Sequence, residues 1–407
     1  RFDQLMGLRM VHPMVQLKGC FTKMGTETIF MEEVAQCLQL SLTDAQVLLL
    51  EYTNLGFIDY SPETGKVRSK PRLYHYVASK SELDDYDVLQ VRSDIGTMAN
   101  ASMDLIDEVF TLKINGIDNI TLSDSHQVVL FPQNGTITMS KNRDFDFSGV
   151  IKAGRLEFFG SNFKFSYDSF KLEMPNVDST RLIVATGEKT ATGREQLTRV
   201  TTVIEDVNGT LEIDDPGNKS GIQQFDEYPI FTSHDLSYTY YDRSGIQGKS
   251  YNRENFYFEL DPFIFDSLDN FRSERVAFPG RFASADIFPE FEETLTVQED
   301  YALGFIRNTP PGGYELYRGK GKFNDTIKLS HDGLKGSGKL KYLASTTRSK
   351  DFLFLPEEMQ TVATSFVIEE QMSPVEYPPT TGKDIKQRWQ PYDDLLHCES
   401  TKSPFIM

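Results

Sequence analysis

Six histidines, at positions 12, 75, 126, 234, 331 and 397, are the first groups to ask for chemistry. None stands in an HxH, HExxH or CxxC spacing, so no local motif assembles a zinc site. His234-Asp235 and His331-Asp332 are adjacent acid–base neighbours. Neighbours on a strand point to opposite faces, so each pair reads as two unrelated groups. No GxSxG elbow is present. Glycoside hydrolysis needs two carboxyls about 5 to 10 Å apart in a cleft. Glu290, Glu292, Glu293, Asp261 and Asp266 lie in an aromatic-rich stretch and are the candidates. With 60 acidic residues such a grouping also arises from surface solvation alone.

Asp214 to Ser220 offers oxygens to Ca2+ but lacks the Asp-x-Asp-x-Asp-Gly loop of a dedicated site, and reads as a Pro-Gly turn. Gly333-x-x-Gly336-x-Gly338 has the look of a phosphate loop. Strand-like runs flank it and no helix N-terminus follows, so its glycines read as hairpin glycines. Asn-x-Ser/Thr occurs at Asn100, Asn119, Asn134, Asn208, Asn218 and Asn324. A bacterial O-glycan pattern is met at Asp178-Ser179-Thr180, Asp266-Ser267-Leu268 and Asp325-Thr326-Ile327. Tyr238, Tyr240, Tyr241 and Trp389 are aromatics able to stack on sugars or to pack at a sheet edge. The three cysteines, Cys20, Cys37 and Cys398, allow one bridge and one free thiol, and spacing does not decide the pairing. No residue is assigned as catalytic, cofactor-binding or metal-ligating.

The elements that would carry these groups are mainly strands. Phe145 to Met174, FDFSGVIKAGRLEFFGSNFKFSYDSFKLEM, alternates apolar and polar residues, which sets one strand face in a core and the other in water. Gly149, Gly154, Gly160 and Tyr167-Asp168-Ser169 are expected to cut it into short antiparallel strands. Shorter strands are expected at Val88–Val91, Val109–Ile114, Ile120–Ser123, Val128–Phe131 and Ile137–Met139. Asn134-Gly135 supplies the strongest hairpin signal. Gly319 to Met359 loosely repeats the Phe145 block, a degenerate internal repeat.

Residues 26–60 are the helical part. Phe30, Val34 and Leu38 recur at helical spacing. Ser41 and Asp44 cap a second helix carrying Val47, Leu48, Leu50 and Leu55, which Gly56 ends. Phe57–Tyr60 and Leu73–Val77 read as a hairpin after it, so the whole resembles a winged-helix module. The second helix, SLTDAQVLLLEYTNL, has no Lys or Arg for phosphates or guanine edges, and the chain is acidic, with net charge −18. Both arguments exclude a nucleic-acid partner held by charge.

With 407 residues, several domains are expected. They are a helical, winged-helix-like module over 1–95, antiparallel β regions over 96–215 and 216–372, and a Pro-rich polar tail or terminal hairpin over 373–407. The chain begins at Arg1 without a secretory signal and reads as a piece of a longer one.

The stretches LSDSHQVVLFPQNGTITMSKNRDFDFSGVIKAGRLEFFGSNFKFSYDSF, FYFELDPFIFDSLDNF, FPGRFASADIFPEFEETLTVQEDYALGF and KFNDTIKLSHDGLKGSGKLKYLAS resemble segments of very large β-rich cell-envelope proteins of Bacteroidota-type bacteria. The resemblance spans about three quarters of the chain, roughly from Met24 onward. It implies an exported, extracytoplasmic chain and supplies no catalytic residues. The Gly-strand-turn-strand grammar is also similar in style to the β-groove proteins of the AsmA and TamB type, which handle lipid. The expectation is thus a mainly β fold of antiparallel sheets, as sandwich or groove, with a small winged-helix-like module. The expected function is non-catalytic: a structural or interaction segment whose partners are other parts of the same chain or envelope proteins. A lipid-handling groove and a glycan-binding or glycan-hydrolysing domain are the alternatives.

Overall fold

The computed structural model describes residues 12–406 except 80–84, 86, 88, 95–98, 104–110, 271, 374, 375, 377 and 403. The strand expectations at Val88 and at Val109–Phe110 lie outside them. The protein is mainly β, with large antiparallel sheets and a few helices near the N-terminus, as the alternation predicts. It divides into two compact units: residues 1–89 with 215–224, and residues 90–214 with 225–407.

The first unit runs α1 (Pro13–Met24), β1 (Thr28–Phe30), α2 (Met31–Leu38), α3 (Leu42–Asn54), β2 (Ile58–Ser61), β3 (Lys66–Ser69) and α4 (Pro71–Ser79). Its sheet has the order β1-β3-β2, the winged-helix arrangement. Three expectations are corrected. Helix α1 was not anticipated, although Pro13 starts it and Gly25, at φ 65°, ends it. Gly19 interrupts the pattern, yet nothing lies near where its Cβ would be, so it costs only about 1 kcal/mol of propensity. Leu73–Val77 is helix α4, not a strand. Its aromatics mimic a period of two, but only Leu73 and Val77, four apart, are buried in the helix. On α3 the buried face is Ala45, Leu48, Leu49 and Tyr52, while Val47 and Leu50 face outward. The Ser41 cap is present: its hydroxyl accepts from the Asp44 N–H at 3.1 Å and donates to the Asp44 carboxylate at 2.6 Å. A Cys20–Cys37 disulfide joins α1 to α2 beneath a core of Leu17, Val34, Leu49, Ile58 and Val67.

The second unit is one antiparallel meander. It starts with β4 (Ala101–Met103), β5 (Leu112–Ile114), β6 (Ile120–Ser123), β7 (Val128–Pro132) and β8 (Ile137–Met139). The Phe145 block then gives β9 (Phe145–Ala153), β10 (Leu156–Ser166) and β11 (Lys171–Lys189). β12 (Glu195–Arg199) folds back on β11, and β13 (Ile204–Glu212) continues the sheet. Next come β14 (Ile230–Ser233), β15 (Ser237–Tyr240), β16 (Phe256–Leu260), β17 (Ile264–Phe265), β18 (Ala277–Ser284) and β19 (Phe291–Val297). β20 (Leu303–Asn308) and β21 (Tyr314–Leu316) lead to β22 (Gly321–Ser330), β23 (Gly333–Tyr342) and β24 (Ser345–Phe354). The chain closes with β25 (Met359–Ala363), β26 (Ser365–Ile368), β27 (Thr380–Gly382), β28 (Ile385–Gln390) and β29 (Leu395–Ser400). The sheet does not close into a barrel.

The glycines of the Phe145 block act differently from the expectation. Gly154 sits in a turn, but Gly149 and Gly160 lie inside long strands and face each other in register. A Cβ on Gly160 would stand 2.1 Å from the Asn176 carbonyl oxygen, and one on Gly149 2.2 Å from that of Phe131. Register shifts beside Gly160 and between Met174 and Val177 bend the strands there. Asn134-Gly135 likewise makes no hairpin. β7 and β8 run one after the other along β9, so the Asn-Gly turn is a corner within one line of the sheet. The same plan recurs in the later block. β20 and β21 split along β22, and the register shifts between Gly336 and Gly338, which lie within β23 rather than separating strands.

These bends turn the apolar face in on itself. Phe158 of β10 meets Phe231 of β14 at 4.7 Å, although two strands lie between them in the sheet. Trp389 of β28 reaches over Gly321 at the start of β22. The tail beyond 373 therefore includes the hairpin β28–β29 with a fully buried Trp389, not only polar chain. Gly160→Val should cost about 3 kcal/mol, because neither facing backbone can retreat. The check is a lowered urea midpoint at unchanged slope.

Candidate functional site

Two constellations concentrate the polar chemistry of the second unit. The first is built on His126, in the turn between β6 and β7, and is almost fully buried. Its backbone N–H donates to Ser123 Oγ at 3.2 Å. Asp269 Oδ2 stands 3.3 Å from Nδ1, and the buried Asp214 presents Oδ2 3.4 Å from Nε2. Tyr228 packs its ring 6.5 Å away. One imidazole thus bridges carboxylates from the end of β13 and the turn after β17, joining segments far apart in sequence. Nδ1 is within hydrogen-bonding reach of Asp269, whereas Nε2 faces Asp214 without a hydrogen bond. The arrangement is a buried polar cluster that ties three segments of the second unit together. Sequence reasoning set His126 aside because its partners lie 88 and 143 positions away. No local spacing encodes such a tie.

The second constellation covers the outer face of β13–β20. Register sets cation opposite anion across neighbouring strands. Arg281 holds Glu259 at 3.0 Å and Glu290 at 3.8 Å, and Arg307 holds Glu293 at 3.3 Å. Arg253 reaches Asp242 at 2.7 Å and Glu205 at 3.4 Å, and its guanidinium lies 4.4 Å over Tyr240. Hydrogen bonding from Arg253 holds the Asp242 carboxyl below its usual range. Tyr238 and Tyr240 stack at 5.9 Å beside Tyr257. Burial, then Asp206, pushes the Tyr240 hydroxyl up to about 12, so it stays a hydrogen-bond donor at neutral pH. Arg307 also covers Phe291 at 4.2 Å, in a stack with Tyr314.

Four of the five carboxylates singled out for glycoside chemistry stand against arginines. Glu290 and Glu293 each face an arginine, Asp266 lies 4.0 Å from Arg275, and Glu292 sits opposite Arg281 in register. The adjacent acid–base pairs separate as well. His234 contacts Thr210 while Asp235 accepts from Asn208. The His331 backbone N–H donates to Asp300, and Asp332 pairs with Lys335 at 3.5 Å. In the 215–224 segment, Asp215 accepts from the Gly217 N–H and Ser220 donates to Asp85, a hydrogen-bonded turn. The Asn218 side-chain amide is committed to the Gln223 backbone and is buried, so it is a poor sequon, whereas Asn119 and Asn134 are exposed. Of the sugar-stacking candidates, Tyr241 and Trp389 are fully buried; Tyr241 donates to the Leu303 carbonyl at 3.0 Å. Among the described residues, no group of three or more His, Cys, Asp or Glu is placed to hold a metal ion.

His126→Leu should destabilise the second unit by about 3 kcal/mol, since the buried Asp214 and the partly buried Asp269 lose the imidazole that lies between them. A smaller loss is expected for His126→Gln, which keeps a donor; urea titrations of both variants check this. Arg253→Met should cost under about 1 kcal/mol at pH 7, because the pair is half exposed and screened. A depressed carboxyl contributes stability that is present above its unfolded value and lost as pH falls through its folded one. The Arg253→Met deficit should therefore shrink on acidification, as unfolding midpoints at pH 7 and pH 3 would show. No protein-family model matches the chain, and neither a curated protein nor a solved structure matches it.

Proposed function

We propose that the chain is a non-catalytic interaction segment of a large exported cell-envelope protein, displaying its sheet face to other parts of the same chain or to envelope partners. The observation that supports this most is the surface lattice of Arg281, Glu259 and Arg307 on the strands, with Arg253 and Asp242 in the β15–β16 connection, interleaved with tyrosines. Its charges are spent on fixing one another, which leaves a stiff, patterned surface suited to recognition rather than to proton transfer. Helix α3 supports a docking role for the first unit, because it turns Leu42, Val47 and Leu50 to solvent where a nucleic-acid reader would carry Lys and Arg. The Cys20–Cys37 disulfide supports an extracytoplasmic site, since such bonds persist in oxidising compartments.

Replacing Tyr257 with a photo-cross-linking benzoylphenylalanine in the native host tests the display role. A discrete adduct is expected from Tyr257 and none from buried Trp389. No adduct at Tyr257 or Tyr238 would count against it. So would a hydrolytic activity abolished by Glu290→Gln or Glu293→Gln. For location, Cys20 and Cys37 in denatured protein from the native host should resist alkylation before reduction and react after it, read by peptide mass spectrometry. Alkylation of both without reductant would remove the extracytoplasmic assignment.

A further inference from the structure

Around Arg281 and Arg307 the register of the second unit sets cation opposite anion. On β22, β23 and β24 it sets cation opposite cation. Residues 318–350 carry nine Lys or Arg and two acidic residues, Asp325 and Asp332, in a chain of net charge −18. Lys322 stands directly across from Lys341, and Lys339 directly across from Arg348. Phe323, Leu340 and Thr347, which alternate with them, are buried, so the four cations share the solvent side of the sheet. Side chains opposed in this way have Cβ atoms about 5 Å apart, and like charges at that spacing destabilise a sheet.

The repulsion is not relieved within the chain. Arg318 and Lys320, just before β22, pair with Asp286 and Asp394, and Lys335 pairs with Asp332 and Asp351. Among the described residues, none of Lys322, Lys339, Lys341 and Arg348 forms an ion pair, and Glu315, opposite Lys322 on β21, does not reach it. An arrangement that costs stability, where one opposed carboxylate would remove the cost, marks a surface kept for a ligand. That ligand must be anionic. The cations lie in two rows of outward side chains, Lys322–Lys341–Thr346 and Asn324–Lys339–Arg348. No aromatic ring stands in either row to stack on a base or a sugar. Lys339 and Lys341 are two residues apart on one strand, which spaces them by about 6.8 Å. Carboxylates at alternate positions of an extended polypeptide have the same spacing, and a lysine meets each as a point charge. We infer that the outer face of β22–β24 binds an extended acidic polypeptide segment with carboxylates at alternate positions. The inference rests on the display function proposed above and gives it a partner chemistry.

A fluorescein-labelled peptide of six Glu-Ser repeats should bind the full chain in about 0.1 M salt, read by anisotropy, and its Gln-Ser counterpart should not. The double variant Lys339→Gln, Lys341→Gln should bind the acidic peptide at least tenfold more weakly. Its urea midpoint should rise, because like-charge opposition is relieved; a merely structural role for these lysines would lower it. No binding, undiminished binding by the double variant, or a lowered midpoint overturns the site. So does stronger competition, at equal charge, from heparin, oligodeoxythymidylate or phosphatidylglycerol vesicles, which would give the face to a glycan, a nucleic acid or a membrane. Dimers in sedimentation that the double variant abolishes would give it to a second copy and overturn it too. An adduct at Tyr257 without peptide binding removes this inference and leaves the display function standing; absence of both removes the two together.

Discussion

The close approach of backbone to backbone at a few mid-strand glycines is the constraint on which the second unit depends. Gly149 faces Gly160 across two strands, and each lies where a side chain would strike a carbonyl oxygen. Gly336 lies beneath the rings of Phe323 and Phe354, and Gly321 beneath Trp389. With side chains at these points the strands would run straight and present a flat apolar face. With glycine they bend, and the phenylalanines of one half meet those of the other. The aromatic core follows from the bend.

The outer face follows from the same register. Because strands pair antiparallel with few slips, residues that alternate outward along one strand meet their counterparts on the next. That places Arg281 between Glu259 and Glu290, and Arg307 beside Glu293. Each exposed pair contributes little stability by itself. Together they hold the tyrosines at set spacing. The buried His126 differs in kind: it ties two distant carboxylates inside the fold, where removing one partner is costly.

The Phe145 block and the Gly321 block share one construction, a split strand followed by three long strands with a mid-strand irregularity. Phenylalanine and leucine side chains fill the space that each block encloses, Phe158, Phe163 and Phe165 in the first and Phe323, Phe352 and Phe354 in the second.

Alternation of apolar and polar residues by itself determined that the chain is mainly β and antiparallel, because period two has one structural solution when one face is buried. The Ser41 cap fixed where α3 starts in the same local way, whereas α1, α4 and the buried face of α3 were not legible. The extent of the strands was not legible. Gly149, Gly160, Gly336 and Gly338 carry the signal of turns, and only a facing backbone shows that they are bends inside strands. Asn134-Gly135 misled for the same reason, as did the aromatic alternation at Leu73–Val77, where burial selects a period of four. The candidate sites were legible only as residue types. Which arginine meets which glutamate, that His126 lies between Asp214 and Asp269, and that Trp389 is core are decided by contacts across many tens of residues. Those depend on how the sheet bends, and local sequence does not specify that bend.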